Sequence, residues 1–247
     1  MTTPTITVVV PVLNEERFLE QTLRSLRAQT FQEYELLVVD NGSTDRSREI
    51  AAELADRVVI EPRRGYLPAA HRGFSEARGE LIVSADADTM YPRRWLERMV
   101  RALAREGTVA AYGPMGFRES WALLRPLEVA GYCVLAALSR LCGVPLCGGA
   151  NLGIRRDAYF AVGGYPPLEE RASPDFRLAR ALRTLGRVRF VPTMPCYTSN
   201  RRFVRAGWVR GAATAFWYWL DVAMGRNRIP GQRYWADPQG SREPRRR

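Results

Sequence analysis

Four apolar runs in the first half of the chain each end in a polar turn, and segments of helical periodicity separate them. Ile6 to Val12 is a continuous, mostly β-branched run closing on Pro11-Val12-Leu13-Asn14. That is the pattern of a strand buried on both faces, as parallel strands are. Phe18, Leu19, Leu23 and Leu26 then recur at helical spacing and predict a helix over Glu15 to Gln29. A second buried strand, Tyr34 to Val39, closes on Asp40-Asn41-Gly42-Ser43, and Ser43 or Thr44 is available to cap a helix over Arg46 to Ala55. Arg57 to Glu61 predicts a third strand, and Leu67 to Ala77 a helix stopped by Gly79. Leu81 to Ala85 is a fourth strand, ending at Asp86-Ala87-Asp88. Such alternation demands a largely parallel sheet with right-handed crossovers. Ligands of these sheets sit outside the carboxyl ends of the strands. Asn14, Glu15, Asp40, Asn41, Asp86 and Asp88 are therefore the first site candidates.

The second half is less regular. Helices are expected over Trp95 to Arg105, Asp157 to Val162 and Asp175 to Thr184, and strands over Val109 to Tyr112, Leu152 to Arg155 and Val188 to Val191. Trp121 to Leu141 is a long apolar segment of helical character, Gly148-Gly149-Ala150-Asn151 a tight turn, and Trp208 to Met224 an aromatic-rich amphipathic stretch. Pro238 to Arg247 has the composition of a disordered basic tail.

The 247 residues suit one α/β domain. With no Lys, all 37 basic residues are Arg, and the formal net charge is +11. Arg makes bidentate contacts with phosphates and carboxylates, so phosphorylated small molecules, anionic lipid and nucleic acid all fit that balance, as does codon bias in a GC-rich genome. Nucleic acid is the poorest fit, because acidic residues stand at the ligand-facing strand ends and no binding motif is present. Cys133, Cys142, Cys147 and Cys196 lack Cys-x-x-Cys spacing and His71 is the only His, which argues against zinc and for reduced thiols in a cytoplasmic protein. Met1 to Thr5 has no signal-peptide pattern, and the longest uncharged apolar run, Val129 to Ser139, is too short to span a bilayer.

Asp86-Ala87-Asp88 is the sharpest chemical feature. Alternate carboxylates at a strand end can reach one centre, and a hard divalent cation takes such oxygens and completes its shell with substrate phosphates. Asp40 can accept hydrogen bonds from a nucleobase while the following residues make the turn.

Together, Val8-Val9-Val10-Pro11-Val12-Leu13-Asn14-Glu15-Glu16, Val38-Val39-Asp40-Asn41-Gly42-Ser43-Thr44-Asp45 and Asp86-Ala87-Asp88 resemble glycosyltransferase family 2. Gly148-Gly149-Ala150-Asn151 to Arg155-Arg156 and Val162-Gly163-Gly164-Tyr165 extend the resemblance over most of residues 5 to 192. It implies the GT-A fold, a Rossmann-like mostly parallel sheet flanked by helices. The expected catalytic domain is residues 1–200, with a nucleotide-binding half (1–112) and an acceptor half (113–200). Residues 201–247 are expected to form a helical, basic tail.

By that resemblance Pro11, Leu13 and Glu15 line the nucleoside pocket and Asp40 reads the base. Asp86 contacts the ribose or the metal shell, and Asp88 ligates Mg²⁺ or Mn²⁺. Gly148 and Gly149 approach the donor sugar, and Asn151 the sugar or acceptor. Asp175 matches the general base of inverting members, with Pro174 in place of the usual Glu. It equally fits a first-turn acid that favours its helix, and a lipid-phosphate acceptor requires no base. His71 stands where the family commonly has Asn and is expected to pack its helix. Arg63, Arg64 and Arg72 lie where they can screen a diphosphate. Arg201 and Arg202, in Thr198-Ser199-Asn200-Arg201-Arg202, resemble a Ser-x-Arg-Arg segment that closes over a diphosphate or faces an anionic membrane.

The implied activity is metal-dependent transfer from a nucleoside-diphosphate sugar, UDP first and GDP second, to a lipid, lipid-linked or saccharide acceptor with inversion. The alternative is a catalytically degenerate nucleotide-sugar or membrane-binding protein of the same fold. A nucleotidyltransferase is disfavoured, since no Gly-rich phosphate loop follows the first strand. Trp208, Phe216, Trp217 and Trp219 before Arg226 and Arg228 fit a helix in a bilayer interface, which places the chain peripherally on the inner face of the plasma membrane. Packing on the domain is the competing reading.

Overall fold

The computed structural model describes residues 5–165 and 174–224. The strands of the first half are β1 (Ile6–Val12), β2 (Tyr34–Asp40), β3 (Arg57–Ile60) and β4 (Leu81–Ser84). They pair in parallel throughout. The helices between them are α1 (Leu19–Arg27), α2 (Ser47–Leu54) and α3 (Tyr66–Glu76), with α4 (Trp95–Leu103) after β4. The second half adds β5 (Thr108–Tyr112), β6 (Met115–Phe117), α5 (Arg125–Leu141), β7 (Leu152–Arg155), α6 (Arg156–Ala161), α7 (Pro174–Leu182), β8 (Arg187–Phe190), β9 (Cys196–Thr198), α8 (Arg201–Ala206) and α9 (Trp208–Ala223).

Seven strands form one sheet in the order β3-β2-β1-β4-β7-β5-β8. β7 runs antiparallel between β4 and β5, and β8 returns parallel to β5. β6 and β9 form a separate parallel pair. The β-branched run of β1 is continuous because helices cover both faces of the sheet. Val8, Val10 and Val12 meet α1 and α4, whereas Val9 meets Leu67, Ala70 and Phe74 of α3 and, with them, α6 and α7. A strand with one wet face would alternate instead.

β4 leaves the sheet at Ser84, paired with Val9, while β1 runs on to Val12. The Asp86–Asp88 turn thus emerges beside the carboxyl end of β1.

Three expectations need correction. The first helix starts at Leu19, not Glu15, because the Glu15 carbonyl accepts turn bonds from Phe18 and Leu19 and leaves Glu15 for the site loop. Neither Ser43 nor Thr44 caps α2; the carboxylate of Asp45 accepts the Ser47 N–H at 2.9 Å. Three-residue β6 and β9 were not expected, being too short for periodicity to register. Arg226, Arg228 and the segment 238–247 lie outside the described residues.

Candidate active site

The loops after β1 and β2 are stitched into one piece. Asn14 is the only non-glycine with positive φ among the described residues, at 54°, a conformation Asn tolerates better than most. Its N–H donates to Ser43 Oγ at 3.1 Å, and its side-chain oxygen accepts the Thr44 N–H at 2.8 Å. The Glu15 N–H donates to Ser47 Oγ at 2.7 Å, and the Glu16 N–H to the Asp45 carboxylate at 3.1 Å. Asn41 ties in the loop after β3: its Nδ2 donates to the carbonyls of Glu61 and Arg63, both at 2.8 Å, and its Oδ1 accepts the Gly65 N–H at 2.7 Å.

A cavity of about 1290 Å³ opens at these strand ends. Its polar part is lined by Pro11, Leu13, Glu15, Asp86, Asp88 and Asp175, with Gly148, Gly149, Arg201 and Arg202. Most of the residues expected to form the site therefore surround one space. Three do not. Asp40 is buried, its Oδ1 accepts the Ser43 N–H at 3.1 Å, and its neighbour Asn41 lines the cavity instead. Arg72 pairs with Glu76 at 2.9 Å on α3, outside the cavity. Asn151 is fully buried and is a structural post. Its Oδ1 accepts from the Trp95 indole at 2.8 Å, and its Nδ2 donates to the carbonyls of Pro114 and Met194 at 3.0 and 2.9 Å. His71 meets the Tyr159 hydroxyl at 3.3 Å and serves helix packing.

Charge is concentrated at the floor. Burial, followed by the charge of Asp88, pushes the Asp86 carboxyl up to about 7. Asp88 accepts from the Thr198 hydroxyl at 3.2 Å and pairs with Arg201 at 2.9 Å. Arg201 also forks onto both oxygens of Glu15, whose carboxyl burial raises in spite of that pairing. Among the described residues no three His, Cys, Asp or Glu side chains form a metal cage. The carboxylates of Asp86 and Asp88 nevertheless fit a Mg²⁺- or Mn²⁺-sized cation, which needs only one or two protein carboxylates beside water and phosphate.

Asp175, in the first turn of α7, is mostly buried. Its Oδ1 accepts the hydroxyls of Tyr165 at 2.9 Å and Tyr66 at 3.5 Å, and its Oδ2 the Gly149 N–H at 3.1 Å. Burial pushes its carboxyl up to about 6 against the lowering effect of those donors. Neither tyrosine was given a role from the sequence, although Tyr165 stands in the Val162-Gly163-Gly164-Tyr165 stretch that resembles the family. Only the glycines beside them, Gly65 and Gly163-Gly164, signal a fixed turn.

The other part of the cavity is apolar, with Tyr132, Leu135 and Leu138 of α5 opposite Phe216 and Trp219 of α9. The Trp219 indole donates to Ser139 Oγ at 2.6 Å, joining the two helices. Arg177 pairs with Asp221 at 2.7 Å, anchoring α9 to α7.

Residues 7–162, more than half of the chain, match the family described as Glycosyl transferase family 2. The chain belongs to glycosyltransferase family 2. Within it, the chain is 37% identical over 113 residues to the undecaprenyl-phosphate 4-deoxy-4-formamido-L-arabinose transferase of Proteus mirabilis, covering 41% of this chain and 34% of that protein. It is 30% identical over 124 residues to the glycosyltransferase AglE of Haloferax volcanii, covering 47% of this chain and 41% of that one. The matches thus span less than half the length of these relatives. The family fold is also found in the mannosyltransferase PcManGT of Pyrobaculum calidifontis, solved with GDP-Man and Mn²⁺ (TM-score 0.74, 24% identity, 93% of this chain and 67% of that one). The glucosyl-3-phosphoglycerate synthase of Mycobacterium tuberculosis, solved with Mn²⁺, UDP and phosphoglyceric acid, shares it as well (TM-score 0.61, 22% identity, 90% and 79%).

Proposed function

We propose that this family 2 chain transfers a glycosyl group, with inversion, from a nucleoside-diphosphate sugar to a hydroxyl of an acceptor carrying an apolar, lipid-like anchor. The observation that supports this best is the continuity of one cavity, from the carboxylates at the sheet's end to the apolar walls of α5 and α9. Pro11, Leu13 and Glu15 bind the nucleoside, uridine in the first instance and guanosine in the second. Asp86 and Asp88 hold the divalent cation, which when bound offsets charge on a departing diphosphate. Arg201 and Arg202 face the same charge. Asp175 takes the acceptor's proton, a task suited to a carboxyl pushed up to about 6. Residues 201–224 complete the acceptor side. Gly148 lines the sugar's side of the cavity.

A second reading, a lipid-phosphate acceptor, draws on the name of the Proteus mirabilis relative. A phosphate oxygen needs no base, and the Asp175 carboxylate would repel it. The Asp175→Asn variant separates the two: turnover is lost with a hydroxyl acceptor and kept with a phosphate.

The donor site is tested by calorimetric titration of UDP and GDP with Mn²⁺ and then with EDTA. One nucleotide is expected to bind only with metal, and Asp88→Ala to weaken it at least tenfold. Folded wild-type protein that binds neither would instead support a degenerate member of the family.

We also propose that the chain lies peripherally on the inner face of the plasma membrane. No helix among the described residues is long and apolar enough to cross a membrane. Leu127, Leu138 and Leu141 of α5 and Val209 and Trp217 of α9 are each more than half exposed, which supports contact with a bilayer surface.

A further inference from the structure

A carboxylate offers two oxygens with two lone pairs each. At Asp175, Oδ1 takes two donors, the hydroxyls of Tyr165 at 2.9 Å and Tyr66 at 3.5 Å. Oδ2 takes the Gly149 N–H at 3.1 Å, and the carboxylate also accepts the N–H of Asp175 itself. Among the described residues, then, both hydroxyl donors sit on Oδ1, and Oδ2 lies beside the Gly149 amide.

The two hydroxyls are delivered by separate parts of the fold. Tyr66 opens α3 directly after Gly65, whose N–H is held by Asn41, so its placement follows the stitched strand-end loops. Tyr165 follows the Gly163-Gly164 turn, where φ is 80° and 74°. Its N–H donates to the Tyr159 hydroxyl at 3.2 Å, and its ring packs edge-on against Phe74 with centroids 5.2 Å apart. A third tie holds the backbone, where the Cys147 thiol donates to the Asp175 carbonyl at 3.3 Å.

We infer that Tyr66 and Tyr165 are positioning residues for Asp175, occupying Oδ1 so that Oδ2 alone receives the acceptor's proton. This assignment rests on the reading of Asp175 as general base. In the step it describes, the acceptor oxygen bonds to the anomeric carbon as its proton passes to Oδ2. The bond from that carbon to the diphosphate oxygen breaks, and its electron pair leaves with the diphosphate. Burial pushes both phenols well above their ordinary range, so they remain protonated donors across the working pH. Their hydrogen bonds favour the ionised carboxylate and oppose the burial that raises it. The groups facing the carboxylate are Tyr66 from α3, Tyr165 from the turn after α6, the Gly149 amide, the Cys147 thiol and Asp86 from the end of β4.

The test is the pH dependence of transfer in Tyr165→Phe and Tyr66→Phe, together with a direct carboxyl titration by ¹³C NMR of Asp-labelled protein. The Asp175 resonance is the one missing from Asp175→Asn, which keeps it apart from Asp86. Loss of a donor moves the acid limb toward neutral pH. The ratio of rates at pH 6 and pH 8 is expected to fall about fivefold in Tyr165→Phe and less in Tyr66→Phe, whose contact is longer. The Asp175 resonance should titrate at correspondingly higher pH. An unmoved limb and an unmoved resonance in both variants, with Asp175→Asn inactive, would overturn the inference while leaving the base. If Asp175→Asn keeps full turnover the base reading fails. The resonance then still decides whether the tyrosines hold the carboxylate.

Discussion

A side chain at Gly149 has no room. A Cβ there would lie 2.1 Å from the Tyr66 hydroxyl and 3.1 Å from Asp175 Oδ2. The sequence marks Gly148-Gly149 as a place of close backbone approach, and in the fold Gly149 lies against Tyr66 and Asp175 while Gly148 lies against Met115. Gly149→Ala is expected to lower kcat about tenfold to a hundredfold through a misplaced carboxylate, with nucleotide Kd unchanged. Steady-state kinetics beside calorimetry reads both, and unaltered kcat would refute the placement. Asn151, two residues on, shows the limit of motif reading. A fully buried Asn with bonds to Trp95, Pro114 and Met194 holds the fold, and no motif separates that task from sugar contact. Asp40 is similar, since its turn bond to Ser43 is local chemistry that the sequence did allow.

Among the elements, α5 and α9 differ from the rest. The helices over the sheet each bury one face, as α4 does with Trp95, Leu96, Met99 and Leu103. α5 buries only Ala136 and Ser139, and α9 only Tyr218, Asp221 and Val222. Their periodicity was legible, yet which side each turns to the domain depends on contacts made from far along the chain, such as Trp219 with Ser139. If their outer sides rest on a bilayer, Leu127→Glu with Trp217→Glu should reduce flotation with anionic liposomes at least fivefold and leave metal-dependent nucleotide binding intact. Equal flotation of variant and parent would remove the membrane surface from these helices.

For the whole molecule, the site has an electrostatic cost that pH should expose. Asp86 and Asp175 have folded-state carboxyls pushed up to about 7 and about 6, above their ordinary 3.8. A raised carboxyl contributes stability when protonated, fully below its unfolded value, and loses it as pH rises through the folded one. Between pH 8 and pH 5 the thermal midpoint of metal-free protein should therefore rise as pH falls. The carboxylates held low, such as Asp45, Asp56 and Glu61, stay ionised over that range and do not mask the trend. Asp86→Asn should flatten the slope and raise the midpoint at pH 8 while abolishing transfer. A pH-independent midpoint in the wild type would show that the pair is not strained.

The sequence by itself determined the strand–helix alternation, the parallel first half and the polar strand ends, because burial on two faces writes β-branched runs and crossover helices write a 3.6-residue period. It also determined that Glu15, Asp86 and Asp88 are candidates, since their residue types and places at strand ends are local facts, whereas Asp175 became one only through the resemblance to the family. Strand direction is not local, and the antiparallel β7 between β4 and β5 came only with the fold. The same holds for Arg201 reaching Glu15 and Asp88, and for Tyr66 and Tyr165 meeting on Asp175. These contacts join residues remote in the chain, and the geometry that closes them is set by packing rather than by any one segment.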